Sequence, residues 1–178
     1  PSPFMDLHPE GARVNSSQIP AKDAFFARTK NCNYLLNALM KKEAVDAGVD
    51  FVVAFDASGR MAEGAAETMG MVTTDRRLVF PRLDGILAGT TMMRLTDLCR
   101  SDRTAERVAG VDFRDIDHKA IAEAAEYLVV GTTINVVAVR EFDGSPVGRG
   151  APGPVFRHLA KLLHDDVHDN AALRTPVC

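Results

Sequence analysis

Two β-branched runs, Tyr127 to Val130 and Ile134 to Val139, stand on either side of Gly131-Thr132-Thr133. Three residues are too few for a crossover helix, so the runs predict antiparallel neighbours joined by a hairpin. A purely parallel, doubly wound sheet has no place for such a pair. The same pattern occurs earlier. Phe51 to Phe55 (FVVAF) reads as a strand, Asp56-Ala57-Ser58-Gly59 as a turn, and a second strand returns through Met61 towards Glu63. Met69 to Thr73 and Leu78 to Phe80 flank Thr74-Asp75-Arg76-Arg77 as another hairpin.

Helical patterns interleave with these strands. Leu35, Leu36, Leu39, Met40 and Val45 recur at helical spacing, opposite Lys41, Lys42, Glu43 and Asp46, and Gly48 is a natural stop. Thr90 or Thr91, following Gly85 and Gly89, can cap a helix running to about Arg100. Ile116 to Ala125 predicts another, with Ile116, Ala120 and Ile121 on one side. Pro154 suits a helix start, and Val155, Phe156, Leu159, Leu162 and Leu163 form the inner stripe. Residues 1–22, with Pro1, Pro3, Pro9, Gly11 and Pro20, read as an extended lead-in. The expected architecture is a mixed-sheet, barrel-like α/β domain.

Composition narrows the function. A chain of 178 residues suits one domain, which hides about 70% of its unfolded surface. No stretch approaches the ~18 apolar residues of a membrane helix, and the first residues lack a basic stretch followed by an apolar one. With 21 Lys+Arg against 24 Asp+Glu, a net −3, and no long basic run, the chain is a poor candidate for a dedicated nucleic-acid binder. Cys32, Cys99 and Cys178 are widely spaced, which gives neither a disulfide framework nor a CxxC motif. The expectation is a reduced, cytoplasmic protein. The opening Pro1 in place of Met leaves both methionine trimming and a missing N-terminal portion open.

Several segments carry candidate chemistry. Lys30 lies just before an amphipathic helix, where an apolar setting favours a neutral amine able to form a Schiff base; a solvated surface lysine is the plainer reading. Cys32 has no histidine near it in sequence and reads as a small buried thiol. Glu63 ends a strand ahead of small residues and can pair with a protonated ring nitrogen, or simply face water. Gly85-Ile86-Leu87-Ala88-Gly89-Thr90-Thr91 runs into a helix N-terminus, whose amides and hydroxyls suit a phosphate. Gly131-Thr132-Thr133 offers a second such set, although neither matches a nucleotide-binding motif. His164 and His168 stand four apart beside Asp165, Asp166 and Asp169; lacking the HExxH order, they read as a solvated helix end, and no metal is expected.

Taken in order, Lys30-Asn-Cys-Asn-Tyr-Leu-Leu, Met61-Ala-Glu-Gly, Gly85-Ile-Leu-Ala-Gly-Thr-Thr, Val130-Gly-Thr-Thr and the block from Val139 to Val155 resemble the class IV aminotransferases. These are the fold-type IV pyridoxal-phosphate enzymes, among them branched-chain amino-acid aminotransferase, D-amino-acid aminotransferase and aminodeoxychorismate lyase. The resemblance runs from about Arg28 to Asp166, and the last block is its most specific part. It implies a mixed-sheet pseudo-barrel with surrounding helices, like the family's C-terminal domain. It implies pyridoxal 5'-phosphate as cofactor and transamination between an amino acid and a 2-oxo acid, of the branched-chain kind. The alternatives are a lyase of the aminodeoxychorismate type or a catalytically incomplete folded domain.

Residue by residue, Lys30 matches the lysine that holds the cofactor and shuttles the proton. Glu63 matches the glutamate that pairs with the pyridine nitrogen, Tyr34 the tyrosine near the phenolic oxygen, and Leu87 the leucine under the ring. Thr90 and Thr91 match the phosphate-binding turn. Thr132 and Thr133 match the loop that meets phosphate and substrate carboxylate. Where members carry Asn and then an aromatic after the glutamate, this chain has Thr68 and Gly70. Met92, with Arg94 two further on, replaces a basic residue, and Asn135 replaces an acid. The resemblance further implies a homodimer and a preceding N-terminal domain, absent here, that supplies a phosphate-binding arginine. The division it suggests is residues 1–27 as interdomain linker, 28–168 as the cofactor-binding domain and 169–178 as tail, with the start at Pro1 a cut at a domain boundary.

Overall fold

The computed structural model describes residues 3–101 and 107–173. Cys178, the opening at Pro1 and the tail beyond residue 173 lie outside them. The chain begins with helix α1 (Pro3–Leu7), strand β1 (Ala12–Ser16), helix α2 (Ala24–Ala27) and helix α3 (Leu35–Asp46). Strands β2 (Phe51–Phe55), β3 (Met61–Gly64), β4 (Thr68–Val72) and β5 (Arg77–Phe80) follow, then α4 (Thr90–Ser101), β6 (Gly110–Phe113) and α5 (His118–Ala122). The long hairpin is β7 (Glu126–Gly131) and β8 (Asn135–Phe142), after which come β9 (Ser145–Pro146) and α6 (Pro154–Asp169). None of these helices is long and apolar enough to cross a membrane.

Six strands close into a mixed barrel in the order β3-β2-β1-β8-β7-β4, sealed by the pairing of Glu63 in β3 with Thr68 in β4. The expected pseudo-barrel with surrounding helices is the observed fold. β1 runs parallel to both β2 and β8, and the other barrel pairs are antiparallel. β5 pairs with the far end of β4 and carries β6 parallel beside it.

Alternation along the strands builds two apolar layers, because successive side chains point to opposite faces. Tyr127 and Val129 of β7, with Val137 and Val139 of β8, fill the barrel interior. Leu128, Val130, Val136 and Ala138 face outward beneath α4 and α6. From α6, Val155, Phe156, Leu159 and Leu163 are buried in that layer, each contributing about 1.5–3 kcal/mol. Leu162, expected in the same stripe, is half-buried.

Glu126 fixes the start of α6. Its buried carboxylate accepts hydrogen bonds from the Val155 amide at 2.8 Å and the Phe156 amide at 2.7 Å. A charge accepting orphan amides at a helix N-terminus is favourable on both counts. Gly153 is required there, since a Cβ would stand 2.1 Å from the Glu126 Cδ.

Four expectations need correction. Residues 12–16, read within an extended lead-in, form a central barrel strand in which Ala12 and Val14 are fully buried. Five residues flanked by prolines carry too short an alternation to announce a strand, and parallel pairing with β2 and β8 supplies the stability. The face of α3 is also different: Asn37, Met40 and Ala44 are buried, whereas Leu35, Leu39 and Val45 are exposed. Small residues beneath the helix explain this, because Val52, Ala54 and Ala65 leave room for Met40 and Ala44. The helix expected over 116–125 spans only His118–Ala122. Asp117 caps it through the Ala120 amide, and the Ile116 carbonyl instead accepts the Met61 amide. Cys32 is exposed rather than buried.

Candidate active site

The β3–β4 turn, the segment before α3, the start of α4 and the β7–β8 turn converge on one cleft of about 250 Å³. Lys30, Tyr34, Glu63, Leu87, Thr90, Thr91 and Thr132 all line it. Thr133 does not; it is exposed on the turn beyond Thr132. Barrel closure brings these segments together, since Glu63 and Thr68 are opposite each other in the sealing pair and Thr68 pairs with Val130 on its other side.

Lys30 stands exposed, and its Nζ donates a 3.0 Å hydrogen bond to the Tyr34 hydroxyl. That bond, then the electrostatic interaction with the same phenol, holds the amine above its ordinary range; loss of solvation opposes this and Glu63 adds to it. The apolar setting expected to favour a neutral amine is therefore absent. Proximity to Tyr34 and Glu63 favours the charged form.

Glu63 is half-buried at the end of β3, and both carboxylate oxygens are engaged. Oε1 accepts from Lys22 Nζ at 3.2 Å, and Oε2 accepts from the Leu87 amide at 3.2 Å. The second bond ties the 85–89 loop to the barrel and sets Leu87 on the cleft wall. A Cβ at Gly89 would stand 3.0 Å from Thr68 Oγ1, a tight contact that a side chain there would have to relieve by shifting Thr68. Thr90 and Thr91 occupy the first turn of α4, where amides lack intrahelical partners.

Two cleft residues escaped the sequence reading. Lys22 belongs to no motif, and only the ion pair with Glu63 reveals it. Asn37 donates through Nδ2 to the Ala65 carbonyl, clasping the turn after Glu63, and its buried Oδ1 has no partner among the described residues. A polar residue on an otherwise apolar helix face was the available signal.

The departures from the family pattern have structural counterparts. A Cβ at Gly70 would lie 2.6 Å from the Phe80 ring, so Phe80 of the neighbouring strand fills the space an aromatic there would take. Met92 is fully buried, and Arg94 turns away to Asp166 of α6 at 2.5 and 2.7 Å. Neither places a cation in the cleft. Asn135 adopts a left-handed φ of 57° opposite Gly131 at the end of the hairpin, a conformation asparagine tolerates. The rings of His164 and His168 lie 4.3 Å apart, and no group of three metal-binding side chains exists among the described residues.

Known proteins share the fold, and one family matches a range that contains the segments lining the cleft. The family described as amino-transferase class IV matches residues 2–142. The chloroplastic D-amino-acid transaminase of Arabidopsis thaliana is 30% identical over 162 residues, 90% of this chain and 43% of that protein. The D-alanine aminotransferase of Bacillus licheniformis is 26% identical over 174 residues, covering 95% and 59%. The T.th. branched-chain amino acid aminotransferase, solved with N-(5'-phosphopyridoxyl)-L-glutamate, superposes with a TM-score of 0.80 at 27% identity. That match covers 88% of this chain and 51% of the other. The chain thus spans about half the length of the relatives it matches.

Proposed function

The chain belongs to the class IV aminotransferase family, and from that membership we propose that it is the cofactor-holding part of a pyridoxal-5'-phosphate-dependent enzyme transaminating a branched-chain-type amino acid. One observation carries the reading: a single cleft gathers an amine, a carboxylate and a helix start bearing two threonines. The cofactor, when bound, supplies an aldehyde that captures amines and a ring that withdraws electrons from the neighbouring carbon.

The residues present suit such a group. Lys30 Nζ would be the amine that holds the aldehyde, with loss of water, and, once released by the incoming amino group, would be the base placed to move the α proton of the amino acid. Glu63 keeps two of its roughly four lone-pair positions open for a ring N–H. The first-turn amides of α4, with the Thr90 and Thr91 hydroxyls, receive the phosphate. Leu87 would support the ring, Tyr34 would meet the phenolic oxygen, and Thr132 would take part in holding phosphate and substrate carboxylate. Thr133, outside the cleft wall, reaches the substrate only if the turn shifts.

In this reading the barrel and its helices, strand β1 and Lys22 included, hold the cofactor, a further domain supplies a phosphate-binding arginine and one wall of the substrate pocket, and the enzyme works in the cytoplasm. A homodimer agrees with the apolar surface beside Lys30, where Phe25, Phe26 and Leu35 are 66%, 57% and 64% exposed. The test is a panel of L- and D-amino acids with 2-oxo acid acceptors, using the full-length enzyme. New amino acid and 2-oxo acid should form together, fastest with branched-chain donors. Pyruvate released from aminodeoxychorismate without any acceptor would instead establish a lyase.

A further inference from the structure

We propose that Lys22 is a positioning residue that acts through Glu63 to moderate how strongly the cleft holds a proton on the cofactor's ring nitrogen. The inference rests on the proposed function above and deepens it.

Lys22 lies in the segment between β1 and α2, far in sequence from β3, yet its Nζ stands 3.2 Å from Glu63 Oε1. The two side chains are only 21% and 17% exposed, so water screens their attraction poorly. The Leu87 amide occupies the other oxygen at 3.2 Å. Two donors leave lone pairs for a third, so a ring N–H can join the carboxylate while Lys22 stays.

The other titratable groups lining the cleft are committed elsewhere or carry the opposite sign. Lys30 is bonded to Tyr34 and feels Glu63 only through the field, without a hydrogen bond to it among those described. Glu67, from the β3–β4 turn, accepts the Ala66 amide through Oε2. Lys22 is therefore the cation in direct contact with Glu63. A carboxylate sharing its charge with an ammonium attracts a pyridinium proton less than a lone carboxylate does. The ring then withdraws electrons less strongly than it would beside Glu63 alone.

The experiment reconstitutes the full-length enzyme with pyridoxal 5'-phosphate labelled with ¹⁵N at the ring nitrogen and follows that nucleus by NMR across pH. In Lys22→Met the ring nitrogen should stay protonated to a pH higher by one unit or more, about tenfold in proton affinity. Lys22→Arg, which keeps the cation, should restore the wild-type curve. Lys22→Gln gives the same reading should the methionine variant fail to fold. Coincident curves for wild type and the neutral variants overturn the inference and leave the proposed function standing. A wild-type enzyme that takes up no cofactor overturns both.

Discussion

At Lys30 the amine and the Tyr34 phenol share a 3.0 Å hydrogen bond, and that contact governs when the amine can act as a nucleophile. The bond raises the amine above its ordinary value, so at neutral pH nearly all of it is protonated and without a lone pair. Cofactor capture should accelerate with rising pH. Replacing Tyr34 by Phe removes the largest raising influence, and the neutral fraction grows about tenfold for each unit the value falls. Tyr34→Phe should therefore capture pyridoxal 5'-phosphate at pH 8 faster than wild type, followed by absorbance after rapid mixing. An unchanged rate would show that the phenol does not control the amine. At this scale the sequence was informative where a residue sits in a motif: Lys30, Glu63, Leu87 and Thr90 line the cleft they were expected to share. It was silent where a contact spans distant segments. Lys22 meets Glu63 only because β1 inserts beside β2, and no local pattern announces that.

Between elements, the pair of Arg94 on α4 and Asp166 on α6 joins the two helices that cover the outer face of the barrel. The Arg94 hydrogen bonds first, and that from Asn170 next, hold the Asp166 carboxyl below its ordinary value, with burial opposing them. A folded value lower than the unfolded one gives stability that is present above the unfolded value. It is lost as pH falls through the folded value. Asp166→Ala should thus lower unfolding free energy at pH 7 by about 2 kcal/mol. The gap to wild type should narrow as pH drops below the aspartate range, as measured by urea denaturation at several pH values. A gap that stays constant down to strongly acid pH would contradict the ion-pair account. The apolar stripe of α6 was readable because sixteen residues hold a strong helical period. The buried face of α3 was not, since Leu35 and Leu39 face outward, Leu36 is only half-buried, and the residues fully buried against the barrel are Met40, Ala44 and a hydrogen-bonded Asn37.

Across the whole molecule, barrel closure makes one site from segments more than a hundred residues apart. The Lys30 segment, the β3–β4 turn, the start of α4 and the β7–β8 turn meet only because β3 seals against β4 and β4 pairs with β7. Two of the three hairpins that ruled out a parallel sheet, β2–β3 and β7–β8, carry Glu63 and Thr132 to the cleft. Residues 12–16 complete the ring of strands, so a segment that reads as a lead-in is part of the frame holding the site. We propose that this frame presents Lys30 to a pyridoxal phosphate. It is tested most directly by titrating wild type and Lys30→Ala with pyridoxal 5'-phosphate and recording the visible absorbance band of lysine-bound cofactor. Wild type should develop the band in proportion to protein and Lys30→Ala should not; a band of equal size in both would contradict the account.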